Sequence, residues 1–258
     1  MQVSDSTGSA VSADTDGGVA SRVPPDIVAL SQRFPMRSFK DATGRIWEFR
    51  DSLREGPVLV LLPGAAGGGD AAYRLVQDLC GEVRTISITY PGGMSPQDLS
   101  NGLVQLLNHL AVGSVALWGS SYGAWWSQAF ASRHPERVSA LWLGNTLVDG
   151  DDVASMPLFS KMWLEETPAD AVQQEWITAT RSRPPSELRD LQLYFISQTI
   201  SAENLRSRLL EVACSTALEP ATGIPRTVVS DCLDDPIIGV STRKQVLARY
   251  PQAQHVQL

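Results

Sequence analysis

The chain has 258 residues, of which 43% are hydrophobic and 19% charged, and its formal net charge is -7. That composition supports a large buried core and excludes global disorder. The acidic balance, without a basic stripe carrying interleaved aromatics, argues against a nucleic-acid binder, and no apolar run approaches the roughly 18 residues of a membrane span.

The length suits one α/β domain with an insertion, or two small domains. Residues 1–25 are Ser, Asp, Gly, Ala and Val without period, ending in Pro24-Pro25. They have no basic stretch followed by an apolar one, so they read as a disordered tail and not as a secretory signal. Met36 to Lys40 and Arg45 to Arg50 are extended segments around the turn Asp41-Ala42-Thr43-Gly44, which predicts a hairpin. Val58 to Leu62 is a continuous aliphatic run ending at Pro63-Gly64, followed by a helical pattern over Ala71 to Cys80. Val83 to Tyr90 is β-rich. Pro96 to Leu110 carries Leu99, Leu103, Leu106, Leu107 and Leu110 at the spacing of one helical face. A strand from Ser114 to Trp118, a helix from Ala124 to His134 and a strand from Val138 to Leu143 follow. Strands apolar on both faces and alternating with helices imply a mostly parallel sheet with helices on both faces.

From Asn145 to about Pro220 the alternation lapses into helical pieces near Ser160–Glu166, Ala169–Arg181, Ser186–Ser197 and Ala202–Ser215. The sheet pattern resumes at Thr227-Val228-Val229, with a helix over Ser241–Arg249 and a last strand at about Ala253–Leu258. The organisation expected is therefore a core from 26–146 and 221–258, with a helical cap insertion at 147–220 over the strand ends that bind ligands in open parallel sheets. Met156, Leu158, Phe159, Met162, Trp163 and Trp176 in that cap suit either an apolar acyl group or ordinary helix packing, and packing is preferred. The three cysteines, Cys80, Cys214 and Cys232, are widely spaced. They predict neither a disulfide framework nor a metal site, fit a reducing, cytoplasmic compartment, and no cofactor is expected.

Gly119-Ser120-Ser121-Tyr122-Gly123 lies between the Ser114 strand and the Ala124 helix. Gly-x-Ser-x-Gly in that context is a nucleophile elbow, a sharp strand-to-helix turn with the serine at its tip. Ser121 is the candidate nucleophile. A neutral serine attacks poorly, so it needs a base, and the developing oxyanion needs donors. The backbone N–H of Tyr122 is one candidate donor. The loop Pro63-Gly64-Ala65-Ala66-Gly67-Gly68-Gly69 would supply the other, from Ala65. A phosphate cradle is disfavoured, because the loop lacks Gly-Lys-Ser/Thr and the Gly-x-Gly-x-x-Gly spacing.

The acid is expected where the late strand runs into Asp231-Cys232-Leu233-Asp234-Asp235-Pro236, with Asp235 first and Asp234 second. The alternative for these residues is a solvated turn with Asp as a cap. Of the three histidines, His109 and His134 end helices that lead into strands, which places them at the end of the sheet opposite the serine. His255 is the remaining candidate base, inside the final strand.

These residues resemble the α/β-hydrolase fold over about Phe34 to Leu258, and within it the maspardin branch. Ile86-Ser87-Ile88-Thr89-Tyr90-Pro91 and Leu117-Trp118 with the elbow are generic to the fold. Leu143-Gly144-Asn145-Thr146, Ile224-Pro225 and Arg249-Tyr250-Pro251-Gln252-Ala253 are more particular. The resemblance implies a mainly cytosolic protein whose hydrolase activity is in question and which acts through protein partners. The pattern departs from catalytic members at Pro63-Gly64, where many have His-Gly, and at Trp125-Trp126, read as core packing. It departs again after the last strand, where those members carry a His in a loop and a terminal helix; an exposed sheet face and a homo-oligomer are the expectation. Two functions follow: a serine hydrolase acting on a small ester, thioester or amide through Ser121 if a base is supplied, or a non-catalytic hydrolase-fold protein that binds a ligand or partner.

Overall fold

The structure, a computed structural model, describes residues 23–258; the expected N-terminal tail lies almost wholly outside them. Helix α1 (Pro25–Arg33) opens the described chain. No helix is expected here from the sequence, because Pro24-Pro25 reads as the end of a tail. Pro25 instead occupies the first helical position, where its missing N–H is no loss, and Asp26 complements the helix N-terminus. Ile27 and Leu30 on one face of α1 are buried against the next helix and the sheet.

The expected hairpin is present as β1 (Arg37–Lys40) and β2 (Ile46–Asp51), antiparallel in register Lys40↔Ile46. Asp41 closes its turn. One carboxylate oxygen accepts from the Thr43 and Arg45 amides at 2.9 and 3.0 Å, and the other accepts from the Trp47 indole at 2.9 Å. Trp47 is fully buried and lies so close to Gly102 that a Cβ there would overlap its ring.

Then come β3 (Val58–Leu62), α2 (Tyr73–Leu79), β4 (Arg84–Thr89), α3 (Pro96–His109), β5 (Val115–Ser120), α4 (Tyr122–Arg133) and β6 (Val138–Gly144). Helix α3 begins as its sequence indicates: Ser95 caps the Asp98 amide, Pro96 follows, and Leu99, Leu103, Leu106 and Leu107 are buried. Four helices separate β6 from the next strand: α5 (Lys161–Glu166), α6 (Ala169–Arg181), α7 (Glu187–Tyr194, continuing as a π turn to Thr199) and α8 (Ala202–Ala213). Strand β7 (Thr227–Asp231), α9 (Val240–Arg249) and β8 (Gln254–Gln257) complete the chain.

The eight strands form one sheet in the order β1-β2-β4-β3-β5-β6-β7-β8, parallel from β4 to β8. Strand β3 is apolar throughout and buried on both faces over Val60–Leu62, whereas β4 alternates and buries Thr85 and Ser87 as well as Ile86 and Ile88. Alternate residues of β3 divide between two clusters: Val60 and Leu62 pack with α3 and α4, Leu61 with α1 and α2. The carboxyl ends of β3, β5, β6 and β7 lie side by side. Register places Ser120, Gly144, Ser230 and Val256 in one row across β5 to β8. That row is the floor of the site.

Candidate active site

Ser121 sits between the last residue of β5 and the first of α4, with φ 52° and ψ −122°. A non-glycine residue there is strained by about 1–3 kcal/mol, and such outliers persist only where the surroundings enforce them. Here two hydrogen bonds do so. The Ser121 amide donates to the Gly144 carbonyl at 2.8 Å, and its carbonyl accepts from the Trp125 amide at 2.9 Å.

The flanking glycines allow the turn to be this tight. A Cβ on Gly119 would lie 2.5 Å from Ala124 Cα, and one on Gly123 would overlap the carbonyl oxygens of Leu62 and Pro63. The β3 loop also runs directly past the serine: a Cβ on Gly64 would come within 3.3 Å of Ser121 Cβ and 3.8 Å of its Oγ. Gly64→Ala should therefore crowd the hydroxyl while leaving the fold in place. The expected result is about 10-fold or slower reaction of Ser121 with an active-site-directed electrophile, with an unfolding midpoint close to wild type, because a small misplacement at a reacting centre is costly.

The two candidate oxyanion donors belong to Tyr122, next to Ser121 in the chain, and Ala65, next to Gly64 in the loop that passes it. The Tyr122 amide opens α4, where no intrahelical acceptor exists for it and the helix dipole favours negative charge. Ala65 follows Gly64 in a loop held by its carbonyls. The Pro63 carbonyl accepts from the Tyr90 hydroxyl at 2.5 Å, and the Gly64 carbonyl accepts from the Gly67 amide at 3.0 Å. Trp125 and Trp126, immediately behind the elbow, are buried core residues, and Trp125 stacks on Tyr122 with ring centroids 5.6 Å apart.

The acid and base candidates are placed elsewhere. Asp235 accepts the amides of Ile237 and Ile238 at 2.8 and 2.9 Å and so caps the turn that leads towards α9. Asp234 is exposed. The His255 Nε2 lies 2.7 Å from the carboxylate of Asp231, the last residue of β7. Asp231 is only 4% exposed, and its other oxygen has no hydrogen-bond partner. Register puts His255 opposite Val229, one row below Ser120 and three strands from β5. At about 4.8 Å per strand that is roughly 14 Å laterally. An imidazole and a hydroxymethyl group cannot span it to make the ~3 Å hydrogen bond a general base needs. The structure thus brings Ser121, Gly64, Ala65 and Tyr122 together, and joins His255 to Asp231 rather than to Ser121. His109, against the Phe39 ring, and His134, against Phe130, lie at the opposite end of the sheet.

Two residues absent from the sequence reading stand closest to the elbow from above. Arg208 of α8 is completely buried. Its Nη1 donates to the Gly67 carbonyl at 2.7 Å and to Ala65 at 3.3 Å, its Nη2 donates to the Tyr90 carbonyl, and the guanidinium lies 4.2 Å from the Tyr90 ring centroid. Glu211, one turn further along α8, accepts the Tyr122 hydroxyl. Burial raises the Glu211 carboxyl above its ordinary value, against the lowering effect of Tyr122 and nearby amides. Burial likewise pushes Tyr90 up to about 12 and Tyr122 well above the usual phenol range, with the Glu211 charge adding to the shift of Tyr122. Nothing local in the α8 sequence marks this face, because its partners lie over 85 residues away.

Among the described residues, no three His, Cys, Asp or Glu side chains gather to hold a metal ion, and no helix is long and apolar enough to cross a membrane. In the helical insertion, Phe159 and Trp176 pack edge to face while Met162 is largely exposed.

Residues 57–192 match the family model described as alpha/beta hydrolase fold. Human maspardin is 25% identical over 252 residues, covering 92% of this chain and 80% of that protein; maspardin of Danio rerio is 23% identical over 253 residues, at 92% and 79%. Among solved structures, the enol-lactonase from Burkholderia xenovorans LB400 superposes with a TM-score of 0.69 at 17% identity, covering 86% of this chain and 91% of that one. A thermophilic esterase from Thermogutta terrifontis gives 0.68 at 20%, covering 86% and 89%.

Proposed function

Because this chain belongs to the alpha/beta hydrolase fold family and is maspardin-like within it, we propose that it is a serine-hydrolase-type protein with Ser121 as its reaction centre. The substrate class is a small ester, thioester or amide. One observation carries this reading: the strained backbone at Ser121, held at φ 52° by two hydrogen bonds and given room by glycines on both sides. A protein with no use for a half-buried hydroxyl at that position gains nothing by holding it there. In the reaction we propose, the Ser121 oxygen attacks the acyl carbon and the amides of Tyr122 and Ala65 receive the developing negative charge. The core over 26–146 and 221–258 carries the chemistry, and 147–220 covers it.

The second reading is a non-catalytic, maspardin-like protein that binds a ligand or protein partner at the same place. It is favoured by the position of His255, held on Asp231 and three strands from the serine. Turnover of short-chain p-nitrophenyl esters and acyl thioesters, compared with Ser121→Ala, tests the first reading. Turnover above buffer that the substitution cuts to a small residue supports it. Equal rates in the two proteins favour the second. A small residue shared by both is expected in either case, because oxyanion donors and binding alone give about 10³–10⁴-fold over water in triad deletions.

A further inference from the structure

The loop beside Ser121 is fixed from above as well as from the sheet. Of its carbonyls, Pro63 is held by the Tyr90 hydroxyl and Gly64 by the loop's own Gly67 amide, whereas Ala65 and Gly67 are both held by Arg208. A peptide unit is planar, with its carbonyl and following amide pointing opposite ways. The Ala65 amide shares its plane with the Gly64 carbonyl, and Arg208 reaches that plane through Gly67, whose amide donates to the Gly64 carbonyl and whose carbonyl accepts from Arg208. Arg208 and Glu211 stand at i and i+3 and so share one face of α8. Glu211 takes the hydroxyl of Tyr122, whose amide is the other proposed donor. The same helix grips the loop after β4: the Gly92 amide donates to Asn204, and a Cβ on Gly92 would meet Ser207.

We propose that Arg208 is a positioning residue for the oxyanion loop, so that α8, through Arg208 on one side and Glu211 on the other, holds both donor segments beside Ser121. This rests on the hydrolase reading above only in naming the amides as oxyanion donors; the mechanical coupling of α8 to the loop stands on the hydrogen bonds themselves. The rigid guanidinium fork ties two segments together, Nη1 on the carbonyls of Ala65 and Gly67 and Nη2 on that of Tyr90, a span that a lysine ammonium at the same place covers only in part. The Nε of Arg208 and Oε1 of Glu211 are also buried, so this face of α8 is turned away from solvent.

The test compares Arg208→Lys with wild type by amide hydrogen exchange at Gly67 and Gly69, whose N–H groups are bonded to the Gly64 carbonyl and the Thr89 hydroxyl. It also measures the rate of Ser121 phosphonylation by a fluorophosphonate. Arg206→Met is the control, because Arg206 donates to the carbonyls of Leu164 and Glu165 and pairs with Glu203, all within the insertion. In Arg208→Lys both amides should exchange about 10-fold faster or more, as expected when hydrogen bonds to a charged group are lost. Maximal phosphonylation should fall about 10-fold or more with reagent affinity retained, a part of the ~10²–10³-fold that losing one oxyanion donor costs. Arg206→Met should change neither.

Unchanged exchange in a folded Arg208→Lys, or equal acceleration in Arg206→Met, overturns the proposal. If wild type itself is not phosphonylated, the hydrolase reading fails, while the exchange result still decides whether α8 sets the loop. If Arg208→Lys does not fold, native-state exchange of wild type decides instead. Gly67 and Gly69 opening together with the α8 amides supports the coupling, and their opening independently overturns it.

Discussion

Gly123→Ala is expected to destabilise the protein by about 3 kcal/mol or more, at the upper end of the cost of overpacking. The added methyl meets the carbonyl oxygens of Leu62 and Pro63, which are backbone atoms at the end of a central strand. Leu62 is paired with Gly119 on β5, so the strand cannot withdraw without opening the sheet at its middle. Relief would have to come from α4 moving outward, which would draw its own Trp126 and Phe130, both fully buried, out of the core. Urea denaturation monitored by tryptophan fluorescence reads this directly. A loss below about 1 kcal/mol, within the range of an ordinary surface change, would mean that the elbow is not packed as described.

Ser121→Gly is expected to act in the opposite direction on stability while abolishing the nucleophile. The strain at φ 52°, ψ −122° disappears with the Cβ. Of the roughly 1–3 kcal/mol stored there, about 1 kcal/mol should survive as net stabilisation after the larger conformational entropy of unfolded glycine is subtracted. Ser121→Ala serves as the comparison, because it removes the hydroxyl but retains the strain. A gain for glycine and none for alanine identifies the backbone as its source. Equal stability of both variants would remove the strain argument and, with it, the observation on which the functional reading stands.

The elbow was legible in the sequence because its determinants are local. Gly119, Ser121 and Gly123 lie within five residues, and the strand before and helix after them are plain in the apolar pattern. The helices of the insertion were legible for the same reason. Ala169–Arg181 appears with the ends expected, and Ala202–Ala213 ends two residues earlier than expected. The chain's hydropathy also implied the parallel order of the sheet, since strands buried on both faces have few other arrangements.

What local pattern could not show is which residues meet across long separations. Asp231, Asp234 and Asp235 are close in sequence, but only the fold distinguishes them. Asp235 turns back on the amides of Ile237 and Ile238, while Asp231, ending β7, faces His255 on the neighbouring strand. The register of β8 against β7 decides this, and a slip of one residue would have pointed His255 to the other face. Arg208 was hidden for a different reason. A basic residue on a helix reads as solvent-facing, yet here it is fully buried, because the carbonyls of Ala65, Gly67 and Tyr90 and the Tyr90 ring surround it. The start of α1 was misread because Pro-Pro marks both the end of an irregular segment and the first turn of a helix.

The central claim, that the Ser121 hydroxyl is presented for attack with amides beside it, is tested most directly by fluorophosphonate labelling followed by peptide mapping. The predicted result is a phosphonyl adduct on the peptide containing Ser121, absent from Ser121→Ala and from heat-unfolded protein. A folded protein that takes no label, or a label that persists in Ser121→Ala, would contradict it.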